Sequence, residues 1–213
     1  MLWRLVNVKI VKTFIKAIVA GMFIGIGGSA FLMIENKVVG SIMFAVGLFA
    51  ICTMGFNLFT GKVCYVFENK LSYLLDLVII WIGNLCGTLL IATLESFTKI
   101  YPTLQQKALA MCQIKFVDEP ISWLILGFFC NILIYLAVDG YKNNPHELGK
   151  YLSIIFGVSV FIICGFEHCV ADMYYISIAN AWTYAHAIEV IAIVTIGNCL
   201  GGIFIPLIKK IAE

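Results

Sequence analysis

The chain alternates between long apolar runs and short polar segments. Six runs approach or exceed the length of about 20 residues that a helix needs to cross a bilayer; they are Thr13–Ile34, Val38–Met54, Tyr73–Leu94, Ile121–Val138, Tyr151–Ile178 and Tyr184–Ile208. The first run follows a basic segment, as in a signal peptide, but it is too long for one and further spans follow it. The pattern therefore predicts an all-α membrane protein with six transmembrane helices, the first of them uncleaved.

Glycine and polar residues interrupt the second and the fifth runs. The interruptions are residues 54–62, MGFNLFTGK, and residues 165–173, GFEHCVADM. Non-helical backbone at membrane depth is tolerated only where protein buries it or a wet cavity borders it. Ionisable side chains at that depth are expensive and mark functional sites by default. We therefore expect the second and fifth helices to be broken at a functional centre.

Two pairs of similar segments indicate an internal repeat. Residues 52–58 (CTMGFNL) resemble residues 162–168 (IICGFEH), and their glycines lie 110 residues apart. Residues 83–87 (GNLCG) resemble residues 197–201 (GNCLG), 114 residues apart. Near-equal offsets favour one three-helix unit used twice, and an odd number of spans makes the second copy inverted. Chance similarity between glycine-rich apolar segments is the alternative.

This repeat predicts the domain organisation. Residues 1–213 form a single transmembrane channel domain, with repeat one at about 10–95 and repeat two at about 120–210. Broken helices at matching positions of inverted halves indicate a substrate site near the middle of the bilayer.

Composition agrees with a membrane protein and excludes several other classes. The chain is 62% hydrophobic and 12% charged, whereas soluble domains are about half apolar and about a quarter charged. The net charge of +2 is too small to indicate a nucleic-acid partner. The eight cysteines are scattered without a C-x-x-C motif, which favours buried apolar residues over disulfides or a metal site. We expect no metal and no cofactor.

The distribution of basic residues predicts the orientation in the membrane. If both termini share one side, that side holds ten basic residues and the other side holds four. The ten are Arg4, Lys9, Lys12, Lys16, Lys62, Lys70, Lys142, Lys150, Lys209 and Lys210, and the four are Lys37, Lys99, Lys107 and Lys115. The excess predicts a multi-pass protein of the plasma membrane with both termini in the cytoplasm.

The two interruptions suggest a site for a small anion. Half-helix ends and free backbone N–H groups favour negative charge. His168 would then lie on the path of such an anion, with the Thr60 hydroxyl from the other interruption. An imidazole with an ordinary pKa near 6.5 could offer a positive charge or hand a proton to a weak-acid anion. The alternatives are structural: His168, Thr60 and Asn131 could be interhelical hydrogen-bond partners, and Lys115 a solvated loop charge.

Three motifs resemble those of a known family. They are residues 58–61 (LFTG), residues 165–174 (GFEHCVADMY) and residues 130–138 (CNILIYLAV). Together they resemble the signatures of formate/nitrite transporters, a family that also includes hydrosulfide channels. The resemblance implies homopentamers with one pore in each protomer, six spans with the second and fifth broken, and an aquaporin-like shape.

The resemblance also implies roles for individual residues. His168 matches the central pore histidine of the family, Thr60 its partner, and Lys115 the outer lysine, sixteen residues before Asn131. Glu167 and Asn131 fall on the polar network around the pore. The apolar side chains of the two constrictions correspond by spacing to Phe44, Leu48, Leu58, Phe59 and Phe161. One position departs from the family: Asp172 stands where Asn is usual, and an extra carboxyl group near an anion path would repel the substrate unless it is protonated, paired or turned away.

Three functions are compatible with these observations. The leading hypothesis is a channel or transporter for small monovalent weak-acid anions such as formate, nitrite or hydrosulfide. The second is a channel for small neutral solutes such as water or ammonia, although the paired Asn-Pro-Ala motifs of aquaporins are missing from the sequence. The third is a membrane enzyme or metal protein that uses His168, Cys164 and Cys169. Because the sequence contains no cofactor motif that supports this third function, we predict that the chain is not an enzyme.

Overall fold

The computed structural model describes the backbone of residues 2–212 and the side chains of residues 8–212, and this part of the chain contains only helices and their connections. The terminal residues Met1 and Glu213, and the Arg4 side chain counted above, lie outside it. The α-helices are α1 (Leu2–Met33), α2 (Lys37–Met54), α3 (Phe59–Val63), α4 (Tyr73–Glu95), α5 (Tyr101–Phe116), α6 (Pro120–Asn143), α7 (Glu147–Cys164), α8 (Cys169–Ile178) and α9 (Ala187–Ala212), and one turn of 3-10 helix spans Val66–Glu68.

Six of these helices are long and apolar enough to cross a membrane. They are Val8–Met33 of α1, α2, α4, α6, α7 and α9, which confirms the predicted number of transmembrane helices. Large apolar side chains such as Ile121, Phe156 and Ile188 point outwards from the chain. Such exposed apolar surface is typical of a protein that contacts lipid or another subunit.

Two glycines end the second and the fifth spans. Gly55 follows α2 with φ of 70°, and Gly165 follows α7 with φ of 71°. Side chains disfavour this left-handed conformation, whereas glycine adopts it freely and therefore commonly terminates helices. After each glycine the chain runs extended for a few residues and then re-enters a short helix, α3 or α8. The interruptions thus lie at the positions that the sequence predicts.

The two halves of the chain make matching hydrogen bonds at these interruptions. The backbone N–H of Asn57 donates to the carbonyl of Lys16 over 3.3 Å, and the N–H of Glu167 donates to that of Leu126 over 3.4 Å. Donors and acceptors in the second half lie 110 residues after those in the first. Equal offsets at both ends of a contact support the interpretation of two related three-helix units.

Close helix packing holds each interruption in place. A Cβ atom on Gly87 of α4 would clash with the backbone oxygen of Ile18 on α1, and one on Gly201 of α9 would clash with that of Phe128 on α6. Only glycine allows the backbones of these helix pairs to approach so closely. The α1–α4 and α6–α9 pairs therefore form two rigid supports on which α3 and α8 rest.

Helix α5 is the part of the fold that the span pattern does not predict. It lies between the third and fourth spans and is too polar to count among the membrane-crossing helices. Its buried residues Leu104, Ala108 and Cys112 join the hydrophobic core, so that the helix covers the face of the molecule opposite the chain termini. Its last turn carries Lys115 inwards, towards α8.

Candidate functional site

The two interrupted spans meet at Thr60 and His168. Thr60 lies in the first turn of α3, and His168 immediately precedes α8. Thr60 Oγ1 and His168 Nε2 are 2.9 Å apart, and the two residues are 0% and 2% exposed. The structure therefore brings together the two side chains that the sequence singled out, although 108 residues separate them.

A second hydrogen bond orients the imidazole of His168. As the residue that caps α8, His168 accepts the backbone N–H of Ala171 at Nδ1, over 3.1 Å. A nitrogen that accepts a hydrogen bond carries no proton, so the neutral ring bears its hydrogen on Nε2. That hydrogen faces the Thr60 hydroxyl, which can accept it. A charged imidazolium would have to give up the bond to Ala171.

Asparagines from α4 and α9 hold the two interruptions, and the sequence analysis did not assign them this role. Asn84 accepts the backbone N–H of Phe59 over 2.8 Å and donates to the carbonyls of Ala17 and Asn57 over 2.8 and 2.9 Å. Its amide therefore satisfies backbone groups on both sides of the gap before α3.

Asn198 makes the same set of bonds in the other half. It accepts the N–H of Cys169 over 2.9 Å and donates to the carbonyls of Gly127 and Glu167 over 2.8 and 2.9 Å. The Gly-Asn pair shared by residues 83–87 and 197–201 was the available signal. Backbone groups exposed by a helix break need partners in a membrane, and these amides supply them.

Asn131 lies behind Thr60 rather than along a cavity. Its Nδ2 donates to the backbone oxygen of Thr60 over 3.1 Å, and its Oδ1 has no partner within residues 8–212. Asn131 is fully buried. This contact positions Thr60, and Asn131 lines neither of the two cavities described below; its role in a polar network around the pore stays a prediction.

Two cavities approach the Thr60–His168 pair from opposite faces. The first, here called the terminus-side cavity, measures about 510 Å³; it is lined by parts of α2, α3, α6 and α7 and reaches Lys142 and Lys150 near the face that carries the chain termini. The second, the α5-side cavity, measures about 360 Å³ and is lined by His168, Lys115, Glu167 and their neighbours. The residues predicted for the constrictions can be located relative to these two cavities.

Three of the five predicted constriction residues line one of the two cavities, and a fourth, Phe44, contacts one of these three. Leu48 and Leu58 line the terminus-side cavity, and Phe161 lines the α5-side cavity. Phe161 stacks on the His168 ring with a centroid distance of 5.7 Å, and Phe44 meets Phe161 edge-on at 6.0 Å.

Phe59, the fifth predicted constriction residue, lies differently. It lines neither of these two cavities, and its backbone N–H is the group that Asn84 holds. This bond anchors the backbone of α3 at Phe59, and the place of the Phe59 side chain at a constriction stays a prediction.

Lys115 forms a buried cluster with two carboxylates. Its ammonium contacts Glu167, and its Nζ lies 3.0 Å from Asp172 Oδ1. Asp172 Oδ2 has no hydrogen-bond partner in the described part of the chain. The carboxyl group of Asp172, which stands where the family usually has Asn, is thus paired with Lys115. Pairing was one of the three conditions under which this group would not repel an anion.

The ion pairs dominate the electrostatics of Lys115. Burial lowers the pKa of the ammonium, but the attraction of Asp172 and Glu167 outweighs burial and raises the pKa above its ordinary value of 10.5. Opposite charges within a few ångströms favour the charged form in this way. Lys115 therefore stays charged at neutral pH, with two carboxyl groups facing its single positive charge.

The cysteines and histidines form no arrangement that suggests metal binding. Over residues 8–212 no three His, Cys, Asp or Glu side chains are grouped so that they could hold a metal ion. Cys169 is buried beside Asn198, whereas Cys164 is exposed at the end of α7.

Comparisons with known proteins agree with this geometry. Residues 4–210 match the family model described as "Formate/nitrite transporter". The chain is 34% identical over 193 residues to the "Uncharacterized transporter YrhG" of Bacillus subtilis (strain 168), covering 83% of this chain and 72% of that protein. It is 28% identical over 185 residues to the "Formate channel FocA" of Escherichia coli (strain K12), covering 78% of this chain and 65% of that protein.

A solved structure shares the fold. A chain described as "Pentameric formate channel with formate bound" superposes with a TM-score of 0.81 at 25% sequence identity, and the match covers 96% of this chain and 97% of the other. The all-α, six-span architecture predicted from the sequence is therefore confirmed by a known channel fold.

Proposed function

The chain belongs to the formate/nitrite transporter family, and from that premise we propose that it conducts small monovalent weak-acid anions, such as formate, nitrite or hydrosulfide, across the plasma membrane. The membership confirms a membrane channel or transporter and not an enzyme. We propose both the identity of the anion and the path that it takes through this chain.

One observation carries the proposal. The Thr60 hydroxyl and the His168 imidazole face each other over 2.9 Å between two cavities that open towards opposite faces. A small anion that leaves water for an apolar constriction loses solvation worth many kcal/mol. Hydrogen-bond donors at the narrowest point of the path would replace part of this lost solvation.

The orientation of His168 supports neither of the two roles considered above, a positive charge or a proton donor, and favours a neutral hydrogen-bond donor instead. Because Nδ1 accepts the Ala171 N–H, the ring is held as a neutral donor whose Nε2–H can turn from Thr60 to a passing anion. In this scheme the anion takes up a proton from the solvent, HCOO⁻ plus H⁺ giving HCOOH for formate. The neutral acid crosses between Leu48, Leu58 and Phe161 and releases the proton on the other side.

We extend the proposal to assembly and orientation. The similar solved structure is described as pentameric, and the exposed apolar side chains on the outside of the chain would be covered by neighbouring subunits and lipid. We propose a homopentamer in which each protomer has its own pore. The basic residues on the terminus side support a cytoplasmic location of both termini.

Anion flux into liposomes that contain the purified protein tests the proposal. We expect formate, nitrite or hydrosulfide to enter faster than in protein-free vesicles, and the His168→Ala variant to lose this flux or its dependence on pH. Asn143→Ala, at the exposed end of α6, is a suitable control. The proposal fails if all three anions are excluded.

The apolar constriction leaves one alternative, a channel for small neutral solutes. Leu48, Leu58 and Phe161 offer no polar group to an ion, and such a segment also admits water or ammonia. Stopped-flow light scattering on the same vesicles separates the two functions. Rapid water or ammonia permeation together with excluded anions would establish the alternative.

A further inference from the structure

The terminus-side cavity and the α5-side cavity differ in charge. The α5-side cavity is lined by Lys37 and Lys115 and by two carboxylates, Glu167 and Asp172, so that its formal charges cancel. The terminus-side cavity is lined by three lysines and one acidic residue, Glu147. An excess of positive charge in a concave, partly apolar wall concentrates anions.

Within the terminus-side cavity, one of the lysines is not neutralised. Lys150 pairs with Glu147 over 2.5 Å, and Lys142 approaches Glu68 to 3.7 Å. Over residues 8–212 no carboxylate lies within 4.0 Å of the Lys62 ammonium. The charged neighbours that act on it are Lys16 and Lys142, both of the same sign.

Lys62 also lies next to the constriction. It belongs to α3, two residues after Thr60, and its backbone oxygen accepts a hydrogen bond from the Tyr73 hydroxyl over 3.1 Å. Its side chain is half-buried and lines the same cavity as Leu58. A half-buried ammonium held on a short, supported helix interacts with an ion more strongly than a solvated one, because water screens it less.

Tyr65 adds a donor to the same cavity. Its hydroxyl oxygen is buried and has no hydrogen-bond partner among the described residues. The Tyr65 ring lies under the Lys142 ammonium, 4.3 Å from its centroid, which holds the ring in place. A buried hydroxyl without a partner is unfavourable unless a water or a ligand satisfies it.

We propose that Lys62 is the central group of a second anion-binding subsite, at the inner end of the terminus-side cavity, with the Tyr65 hydroxyl as an additional donor. The ligand is a small monovalent carboxylate or oxyanion of the size that the constriction admits. This assignment rests on the proposed function for the identity of the anion. With the termini in the cytoplasm, the subsite loads anions that leave the cell.

Formate flux through oriented vesicles tests the subsite. The variant Lys62→Met keeps the length of the side chain but removes its charge. We expect the formate concentration for half-maximal flux from the terminus side to rise at least about threefold, with little change for flux from the α5 side. Lys62→Arg should resemble the original protein, and Lys70→Met, which removes an exposed lysine that does not line the cavity, is the matched control.

A binding measurement separates the failure of the subsite from the failure of the proposed function. Protein in nanodiscs should broaden the ¹³C resonance of added formate, and Lys62→Met should reduce the broadening while Lys70→Met does not. If formate flux is absent but the broadening depends on Lys62, the transport function is wrong and the subsite stands. If flux and broadening are the same in Lys62→Met and Lys70→Met, the subsite is overturned and the transport function stands.

Discussion

His168 Nδ1 accepts the backbone N–H of Ala171 over 3.1 Å, so that the imidazole that faces Thr60 also caps helix α8. One side chain therefore has a structural contact and a contact at the centre of the proposed pore. A single substitution to alanine removes both contacts. The two roles can be separated by choosing the replacement.

His168→Asn should separate them. Asparagine is a preferred helix cap, whereas loss of a cap costs about 1 kcal/mol. We expect His168→Ala to lower the melting temperature and His168→Asn to lower it less, while both variants lose the Nε2–H donor and with it most of the formate flux. Thermal unfolding in detergent and liposome flux provide the two measurements. Equal flux in His168→Asn and the original protein would contradict the role of the imidazole.

Asn198→Ala should destabilise the fold strongly. The Asn198 amide makes three hydrogen bonds, to Cys169, Gly127 and Glu167. Each buried backbone group left without a partner costs about 1–3 kcal/mol, so we expect a clearly lower melting temperature and reduced yield. Asn84→Ala should have a similar effect. The exposed Asn69 is a suitable control position, and a melting temperature of Asn198→Ala equal to that of Asn69→Ala would refute the supporting role.

Asp172→Asn should raise anion flux from the α5 side. The substitution leaves Lys115 paired with Glu167 alone and changes the formal charge of the α5-side cavity by one unit in the positive direction. Attraction of the anion should increase, and the increase should shrink at high ionic strength because salt screens it. Initial rates of formate influx at two salt concentrations measure the effect. An unchanged or lower rate would show that Asp172 does not oppose entering anions.

Lys115→Met should destabilise the protein more than Lys115→Met combined with Asp172→Asn. The single variant leaves two buried carboxyl groups without their cation, and breaking a buried ion pair costs about 3–5 kcal/mol. Because the double variant leaves only one such group, part of the stability should return. Melting temperatures of the four proteins form a double-mutant cycle. Additive effects would contradict the direct coupling.

The raised pKa of Lys115 also predicts how the stability difference between the original protein and Lys115→Met depends on pH. A group whose pKa is higher in the folded state stabilises that state fully below its ordinary pKa, 10.5, and loses this contribution only as the pH rises through the folded value. The contribution of the Lys115 ammonium itself should therefore be constant from about pH 6 to 9. Stability lost at the alkaline end of this range by the original protein but not by Lys115→Met would contradict the assignment.

Gly201→Ala should disturb the packing of α6 against α9. The added methyl group would clash with the backbone oxygen of Phe128, which cannot move aside as a flexible side chain could. Overpacking of this kind costs about 1–3 kcal/mol. Gly61→Ala is the matched control, because the nearest atom to its added methyl group is a side-chain carbon of Val138 at 3.2 Å. The melting temperature should fall further for Gly201→Ala than for Gly61→Ala.

The places of the helix breaks and of the Thr60–His168 pair were predictable. Gly55 and Gly165 mark the breaks because only glycine adopts the left-handed backbone without strain. The offset of 110 residues between them favoured the interpretation that the two interruptions occupy equivalent positions of two related units. Resemblance to a known family then indicated that Thr60 and His168 belong together.

The partners of other polar side chains were not predictable. Asn84 and Asn198 entered the sequence analysis only as members of two similar Gly-Asn segments, and their hydrogen bonds arise where α4 and α9 pass the interruptions. Phe59 matched a constriction position by spacing, and the contact that could not be foreseen is the one between its backbone N–H and Asn84. A solvated loop charge was one interpretation of Lys115 from the sequence, yet α5 folds it against Glu167 and Asp172.

Two features followed from composition and local conformation, namely the six membrane-crossing helices and the two breaks at glycines. The interpretation of the two halves as inverted copies stays a prediction. The hydrophobic length of a span and the φ angle open to a residue are local properties, so they can be read along the chain. Which charges are neutralised, in contrast, became apparent only in the folded chain. Coulomb energy depends on distances between helices remote in sequence, and those distances left Lys115 with two carboxylates and Lys62 with none nearby.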